Sequence, residues 1–110
     1  MKDLNDDIKK YLESYPIEIS DKFNELYKII SDLNVEINDQ IWAKLPSFYV
    51  KEKFVRLIPF NDHINIEASG ITNYLDLLKE YKITKKGMLQ LFLKDEIPYT
   101  ALKIIFKETL

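Results

Sequence analysis

Apolar residues recur at helical spacing at both ends of the chain and at strand-like spacing in its middle. In the first third, this helical series comprises Leu4, Ile8, Tyr11, Leu12, Tyr15 and then Ile19, Phe23, Leu26, Ile30 and Leu33. We predict helices over residues 3–14 and 17–32, separated at Pro16 because the residue before a proline avoids the helical conformation. A closing helix is predicted after Pro98, with inward residues Ala101, Leu102, Ile105 and Phe106.

The middle of the chain, residues 41–68, predicts the centre of an antiparallel sheet. A first strand is expected from residue 36 or 37 to residue 43, and a second, short strand from residue 48 to residue 50. We expect Leu45-Pro46 to break the sheet between them, because proline cannot donate a hydrogen bond to a ladder. Asn61-Asp62 lies between two further strand-like runs and predicts a two-residue hairpin turn, since both residues tolerate positive φ.

A two-residue turn at Asn61-Asp62 fixes which residues of the hairpin share a face. The pairs Phe60/His63, Ile58/Asn65 and Arg56/Glu67 form one mixed face, and the pairs Pro59/Ile64, Leu57/Ile66 and Val55/Ala68 form an apolar one. We expect the apolar face to pack against helices and the mixed face to meet solvent or a partner, because a one-residue slip would bury Arg56 and Glu67. Whether Trp42, Phe48 and Tyr49 join the mixed face depends on a register that the pattern leaves open. The alternative to an open mixed face is that the first helix covers part of it.

The remaining segments complete an α+β chain. Ser69-Gly70 is expected to open a third helix that buries Ile71, Tyr74, Leu75 and Leu78 and ends near Tyr81. Residues 82–87 then read as a basic loop and residues 88–93 as the last strand. This order predicts a two-layer sandwich in a single domain over residues 1–110. Its mainly antiparallel sheet of about five strands is packed by the N- and C-terminal helices.

Composition narrows the class of protein. The chain of 110 residues has no cysteine, which excludes disulfides, thiolate metal sites and cysteine nucleophiles. Its charged N-terminus and its lack of an apolar run near the roughly 20 residues of a membrane helix predict a cytoplasmic protein without a membrane partner. Residues 1–40 carry ten acidic and five basic side chains, a charge of −5, and residues 41–110 carry +3. Nucleic-acid binding is not expected, because it needs a basic stripe.

Acidic side chains crowd the first two predicted helices. Asp3 and Asp7 are four residues apart, as are Asp21 and Glu25, so each pair shares a helix face, and Glu18 lies nearby in the sequence. Carboxylate oxygens of this kind suit a hard cation such as Fe²⁺, Mn²⁺ or Ca²⁺. The alternative is an ordinary solvated helix face.

The mixed face supplies the candidates for partner binding, Phe54, Arg56, Phe60 and His63, because exposed aromatic patches often mark interaction sites. His63 is the only histidine, and the sequence offers it neither a nucleophile nor an orienting partner, so we do not expect an enzyme. A third interpretation is a small-molecule binder or an enzyme with a cleft between residues 46–49, His63 and the basic turn at residues 85–87. That turn could hold an anion or be plainly solvated.

Several segments together resemble a known family. They are residues 41–48 (IWAKLPSF), 60–64 (FNDHI), 81–91 (YKITKKGMLQL) and Ile97-Pro98 before the closing helix. Their order looks like the YdhG-like family, a bacterial domain of unknown function, of which some members are described as frataxin-like intracellular iron chaperones. Two departures stand out, because the family usually has glycine where Ala43-Lys44 stands and often has glycine in the turn at residues 51–53.

The resemblance implies an α/β sandwich related to frataxin that acts in the cytoplasm without catalysis of its own. Iron would be bound weakly at acidic helix positions and passed to a partner protein of iron–sulfur or haem assembly. We expect a monomer or a weak homodimer. The alternative is a protein-interaction module of unknown role that uses the exposed sheet face.

Overall fold

The computed structural model describes residues 4–110 and shows an α+β fold with one antiparallel sheet. Its helices are α1 (Asp6–Leu12), α2 (Ile17–Ser31) and α3 (Tyr99–Thr109). Its strands are β1 (Asn38–Trp42), β2 (Leu45–Val50), β3 (Lys53–Pro59), β4 (His63–Ala68), β5 (Lys82–Ile83) and β6 (Leu89–Phe92), in the spatial order β1-β2-β3-β4-β6-β5. The predicted two-layer class is confirmed, with six strands rather than about five.

The two N-terminal helices form where the apolar spacing placed them. The Asn5 side chain caps α1 by accepting hydrogen bonds from the N–H groups of Asp7 and Ile8, at 2.7 and 3.3 Å. Pro16 stands directly before α2 as its cap residue, so the proline both separates the helices and starts the second one. The predicted first helix was longer than α1, and its start at Asp3 lies outside the described residues.

The hairpin register around Asn61-Asp62 is confirmed pair by pair. Val55 pairs with Ala68, Arg56 with Glu67, Leu57 with Ile66, Ile58 with Asn65 and Pro59 with Ile64. The Phe60 N–H donates to the His63 carbonyl at 2.8 Å and closes the turn. The apolar face is therefore buried as predicted.

The predicted break in the sheet at Leu45-Pro46 was wrong. Leu45-Pro46 does not break the sheet, because the chain turns earlier, at Ala43-Lys44, where both residues have positive φ. Pro46 lies inside β2 opposite Ile41, and pairing with β3 begins only at the next residue, so its missing N–H costs no ladder bond on that side.

The predicted third helix is also wrong. Two short 3₁₀ helices, Ser69–Asn73 and Leu75–Leu78, stand in its place, and Leu75 is exposed although Ile71 and Leu78 are buried. Ser, Gly, Thr and Asn fill most of the first segment, and these residues favour turns over a continuous helix. The segment predicted as a basic loop contributes the two residues of β5, which pair with β6.

The hydrophobic core lies between the three helices and one face of the sheet. Phe48 of β2 reaches this core, where its ring lies 6.3 Å from the ring of Phe23 and 5.5 Å from that of Tyr27, both on α2. Leu102, Ile105 and Phe106 of α3 are fully buried as predicted. No helix among the described residues is long and apolar enough to cross a membrane.

Candidate functional site

The opposite side of the sheet, here called the open face, carries the residues predicted for partner binding. Strand pairing places on it Trp42, Tyr49, Phe54, Arg56, Ile58, Phe60, His63, Asn65, Glu67 and Phe92. Residues alternate between buried and half-buried along β4 and β6, as expected when only one face is covered. The alternative that α1 covers this face is not supported, because the residues that α1 buries belong to the core on the helix side.

Arg56 is the centre of the first cluster on the open face. Its guanidinium donates from Nε to Ser47 Oγ at 3.1 Å, from Nη1 to Glu67 Oε1 at 3.1 Å and from Nη2 to the Tyr49 hydroxyl at 3.2 Å. The predicted Arg56–Glu67 pair is therefore formed. Three directed hydrogen bonds hold the planar group in one orientation, which lysine could not reproduce.

Aromatic rings complete the enclosure of Arg56. Its Cζ atom lies 4.3 Å from the centroid of the Trp42 ring and 3.9 Å from that of the Phe54 ring, within the range of cation–π attraction. Arg56 is only 8% exposed, although it lies on the face away from the core. The side chains of this face therefore build a second, small packed layer around a charged group.

The second cluster is an aromatic stack centred on His63. The imidazole lies between the rings of Phe60, at 4.4 Å and nearly parallel, and Phe92, at 4.8 Å. Its Nδ1 is 2.7 Å from an Asp62 carboxylate oxygen in the hairpin turn, and Lys82 Nζ lies 5.4 Å from the Phe92 ring centroid. This arrangement holds the histidine as part of a packed stack.

Between the two clusters lies an amide oxygen without a hydrogen-bond partner. Asn65 is paired with Ile58 on one side and Gln90 on the other, and its Oδ1 is buried and unbonded among the described residues. A buried polar atom without a partner is costly and uncommon.

The structure thus brings together all four predicted partner-binding residues, in two neighbouring clusters. Phe54 and Arg56 belong to the first cluster, and Phe60 and His63 to the second. The sequence did not decide on which face Trp42 and Tyr49 lie, and it did not indicate Phe92. The face of each residue depends on strand pairings that no turn motif in the sequence fixes. Phe48 lies on the other face, inside the core.

The predicted metal-binding carboxylates lie on exposed helix surfaces. Asp7, Glu18, Asp21 and Glu25 are all exposed, whereas Asp3 lies outside the described residues. Glu25 accepts a hydrogen bond from Tyr99, and burial followed by the charge of Glu25 raises the pKa of that tyrosine. Within residues 4–110 no three His, Asp or Glu side chains come together in a way that could hold a metal ion.

A pocket of about 330 Å³ with a mixed polar and apolar wall opens where β3 begins and β4 ends. Lys53, Phe54, Glu67, Thr72, Lys86 and Glu108 contribute to its walls. The cleft predicted from the sequence shares Lys86-Gly87 with this pocket. The prediction also included His63 and residues 46–49, which do not line the pocket. His63 instead begins β4, at the other end of the strand from Glu67.

Comparison with known proteins agrees with the fold. The chain superimposes on the crystal structure of YdhG, a protein of the DUF1801 family from Bacillus subtilis, with a TM-score of 0.74 at 19% sequence identity. The match covers 88% of this chain and 83% of that one. No family model matches the sequence, and no curated protein matches it either.

This likeness shows a shared fold, and it agrees with the YdhG-like resemblance at that level. It carries no ligand, partner or activity across, because identity this low leaves function open. The expected relation to frataxin stays a prediction.

Proposed function

We propose that the protein is a small non-catalytic binding protein that captures a partner protein on the open face. One observation carries this proposal: the side chains of Trp42 and Phe60 are 51% and 42% exposed on the sheet face that also carries Arg56. The solvated face of an antiparallel sheet is ordinarily polar. Trp, Tyr and Arg are the residues that most often dominate the energy of protein interfaces.

The two clusters favour binding because their side chains are already ordered. Arg56 is fixed by three hydrogen bonds and two rings, and His63 by its two ring neighbours. A partner would therefore lose little free energy to ordering these side chains on binding.

Replacement of the exposed rings tests the proposal. When immobilised, the Trp42→Ser and Phe60→Ser variants should each capture much less partner than the wild-type chain. Both should remain folded, with unfolding midpoints only modestly below that of the wild type, because each ring also packs on Arg56 or His63. Trp42 is preferred over Phe54 because Phe54 is half-buried against Arg56.

Leu77→Ser is the matched control, since Leu77 is 47% exposed in the second 3₁₀ helix, outside the sheet. It should retain the partner. Undiminished capture by both ring variants would reject the open face as the binding site. A large loss of stability would instead show that the rings are part of a second core.

Iron chaperoning is the second candidate, and the charge of −5 on residues 1–40 is the observation that favours it. Iron would be held weakly by the exposed carboxylates of α1 and α2 and delivered to a partner of iron–sulfur or haem assembly. An anaerobic Fe²⁺ titration followed by amide shifts tests this idea. If no shifts localise to residues 3–32 at sub-millimolar metal, iron binding at these helices should be abandoned.

A further inference from the structure

The pocket at the end of β4 has fixed negative groups in its wall. Arg56, itself nine-tenths buried, holds the Glu67 carboxylate through Nη1 at 3.1 Å. Glu108 near the end of α3 accepts hydrogen bonds from the Asn73 side-chain amide at 2.7 Å and from the Tyr74 hydroxyl at 2.9 Å. These hydrogen bonds lower the pKa of Glu108. Hydrogen bonds therefore hold both carboxylates in place.

The frame around these carboxylates is rigid. Gly70 donates its N–H to Thr109 Oγ1 at 3.0 Å, and the same hydroxyl donates to the Ile105 carbonyl at 2.7 Å. A Cβ atom at residue 70 would lie 2.8 Å from Thr109 Oγ1 and 2.9 Å from the Ile105 carbonyl oxygen, so only glycine allows this close approach. The first 3₁₀ helix is thereby held directly against α3, and both elements contribute to the pocket wall.

Two lysines bring positive charge to the same pocket. Lys53 begins β3, and Lys86 lies in the turn that Gly87 completes with a φ of 89°. Neither ammonium group has an ion-pair partner among residues 4–110. Glu67 is already paired with Arg56, whereas Glu108 and the two lysines have no ion-pair partner among residues 4–110, so a ligand that carries both charges would meet both signs at once.

We propose that this pocket binds a small zwitterion of amino-acid size, with its ammonium or guanidinium group on Glu67 and Glu108 and its carboxylate between Lys53 and Lys86. The volume of about 330 Å³ lies at the lower end of the range for small-molecule sites. The half-buried ring of Phe54 provides an apolar wall for the carbon skeleton. This site is separate from the exposed rings proposed to capture a partner protein.

Titration of the ¹⁵N-labelled chain with L-lysine, L-arginine and glycine tests the proposal. At least one of these zwitterions should give saturable amide shifts confined to residues 53–54, 67–72, 86–88 and 108–109. Acetate and guanidinium chloride, which carry one half of the charge pattern each, should give weaker shifts at the same concentration.

Two variants separate the charges of the site. Lys86→Gln and Glu108→Gln should each weaken binding by about tenfold, the loss expected for one charge-assisted hydrogen bond. Lys79→Gln and Glu80→Gln are matched controls, because both residues are exposed and lie outside the pocket wall. Glutamine at residue 108 keeps one oxygen to accept from the Asn73 amide, and its NH₂ group can donate to the Tyr74 hydroxyl. Because Glu108 and Lys86 are also both exposed, the fold should persist in both test variants.

Three results would overturn the zwitterion site. The first is equal shifts from acetate or guanidinium alone, the second is shifts scattered over the surface, and the third is unchanged affinity in both Lys86→Gln and Glu108→Gln. None of these results bears on the capture of a partner by Trp42 and Phe60, so the two proposals fail separately.

Discussion

At the scale of single residues, Arg56 shows how a charged group becomes buried outside the hydrophobic core. Its hydrogen bonds to Ser47, Tyr49 and Glu67 replace water, and the rings of Trp42 and Phe54 exclude it. A buried charge is tolerated only when its donors are satisfied in this way. The sequence predicted the Arg56–Glu67 pair from the hairpin, but the rings come from β1 and β3.

We expect Arg56→Lys to lower the free energy of unfolding by about 1–3 kcal/mol, because an ammonium group cannot serve three acceptors in a plane and leaves buried acceptors unpaired. Urea denaturation of both chains measures this difference. Lys82→Arg is the control on the same face, and it should change stability by less than about 0.5 kcal/mol. Equal stability of Arg56→Lys and the wild type would show that the hydrogen bonds of Arg56 contribute little.

Tyr11 gives a pH-dependent prediction at the residue scale. Burial, with a hydrogen bond to Tyr15 and the charge of Tyr15, raises its pKa from 10.0 to about 12. The two hydroxyl oxygens are 3.4 Å apart. Because the folded form holds its proton more tightly than the unfolded form, the stability from Tyr11 is complete below pH 10 and is lost as the pH rises toward 12.

NMR titration of the Tyr11 ring carbon attached to oxygen should locate this pKa directly. In Tyr15→Phe the pKa should fall but remain above its ordinary value, because burial is the largest cause of the shift. A value in Tyr15→Phe equal to that of an exposed tyrosine would contradict burial as the main cause.

At the scale of elements, two hairpin turns have left-handed backbone at positions where the resemblance to the YdhG-like family leads us to expect glycine. Ala43 and Lys44 both have positive φ, at 50° and 67°, which is the backbone of a type I′ turn. Lys51 has a φ of 56° in the next turn, where β2 meets β3. The expected glycines are therefore absent at the positions where the backbone is left-handed, and side chains there carry strain.

Glycine at these turns should stabilise the protein. We expect Lys44→Gly and Lys51→Gly each to raise the free energy of unfolding by about 0.5–1 kcal/mol, because the relief of strain exceeds the extra entropy of the unfolded chain. Thermal and urea unfolding measure the change. Lys53→Gly is the matched control, since the same substitution at the start of β3 should be destabilising. Losses at residues 44 and 51 as large as that at residue 53 would contradict strain in the turns.

Over residues 69–81 the spacing of apolar residues predicted which side chains are buried but not the type of helix. Ile71 and Leu78 are buried as the pattern required, yet the chain between them forms two 3₁₀ helices. The contact of Gly70 with Thr109 and Ile105 decides this geometry, because it places the first 3₁₀ helix directly on α3. No property of the local sequence reports a contact 39 residues away.

At the scale of the whole molecule, the sheet separates a dry layer from an open one. The core side is filled by the three helices and holds Val55, Leu57, Ile64 and Ile66 without exposure. The open side holds two aromatic clusters around Arg56 and His63. The charge of the chain follows a different division, with −5 on residues 1–40 and +3 on the rest.

Substitutions at two neighbouring residues of β3 test the difference in packing between the core side and the open side of the sheet. Leu57→Ala should cost about 2–5 kcal/mol, because it leaves a cavity among the helices, whereas Ile58→Ala should cost about 1 kcal/mol. Leu57 is fully buried and Ile58 is half-buried on the open face, so the two substitutions report the two layers separately. Equal costs in urea denaturation would show that the open side is packed as tightly as the core.

The sequence by itself determined the α+β class, helices α1–α3 and the register of β3 with β4. These features depend on local spacing and on one turn, Asn61-Asp62, so they can be read along the chain. The tertiary structure alone decided the position of β1 and β2, the aromatic enclosure of Arg56 and the pocket between Glu67 and Glu108. Those depend on residues far apart in sequence that meet only when the sheet and α3 assemble, and spacing along the chain carries no record of such meetings.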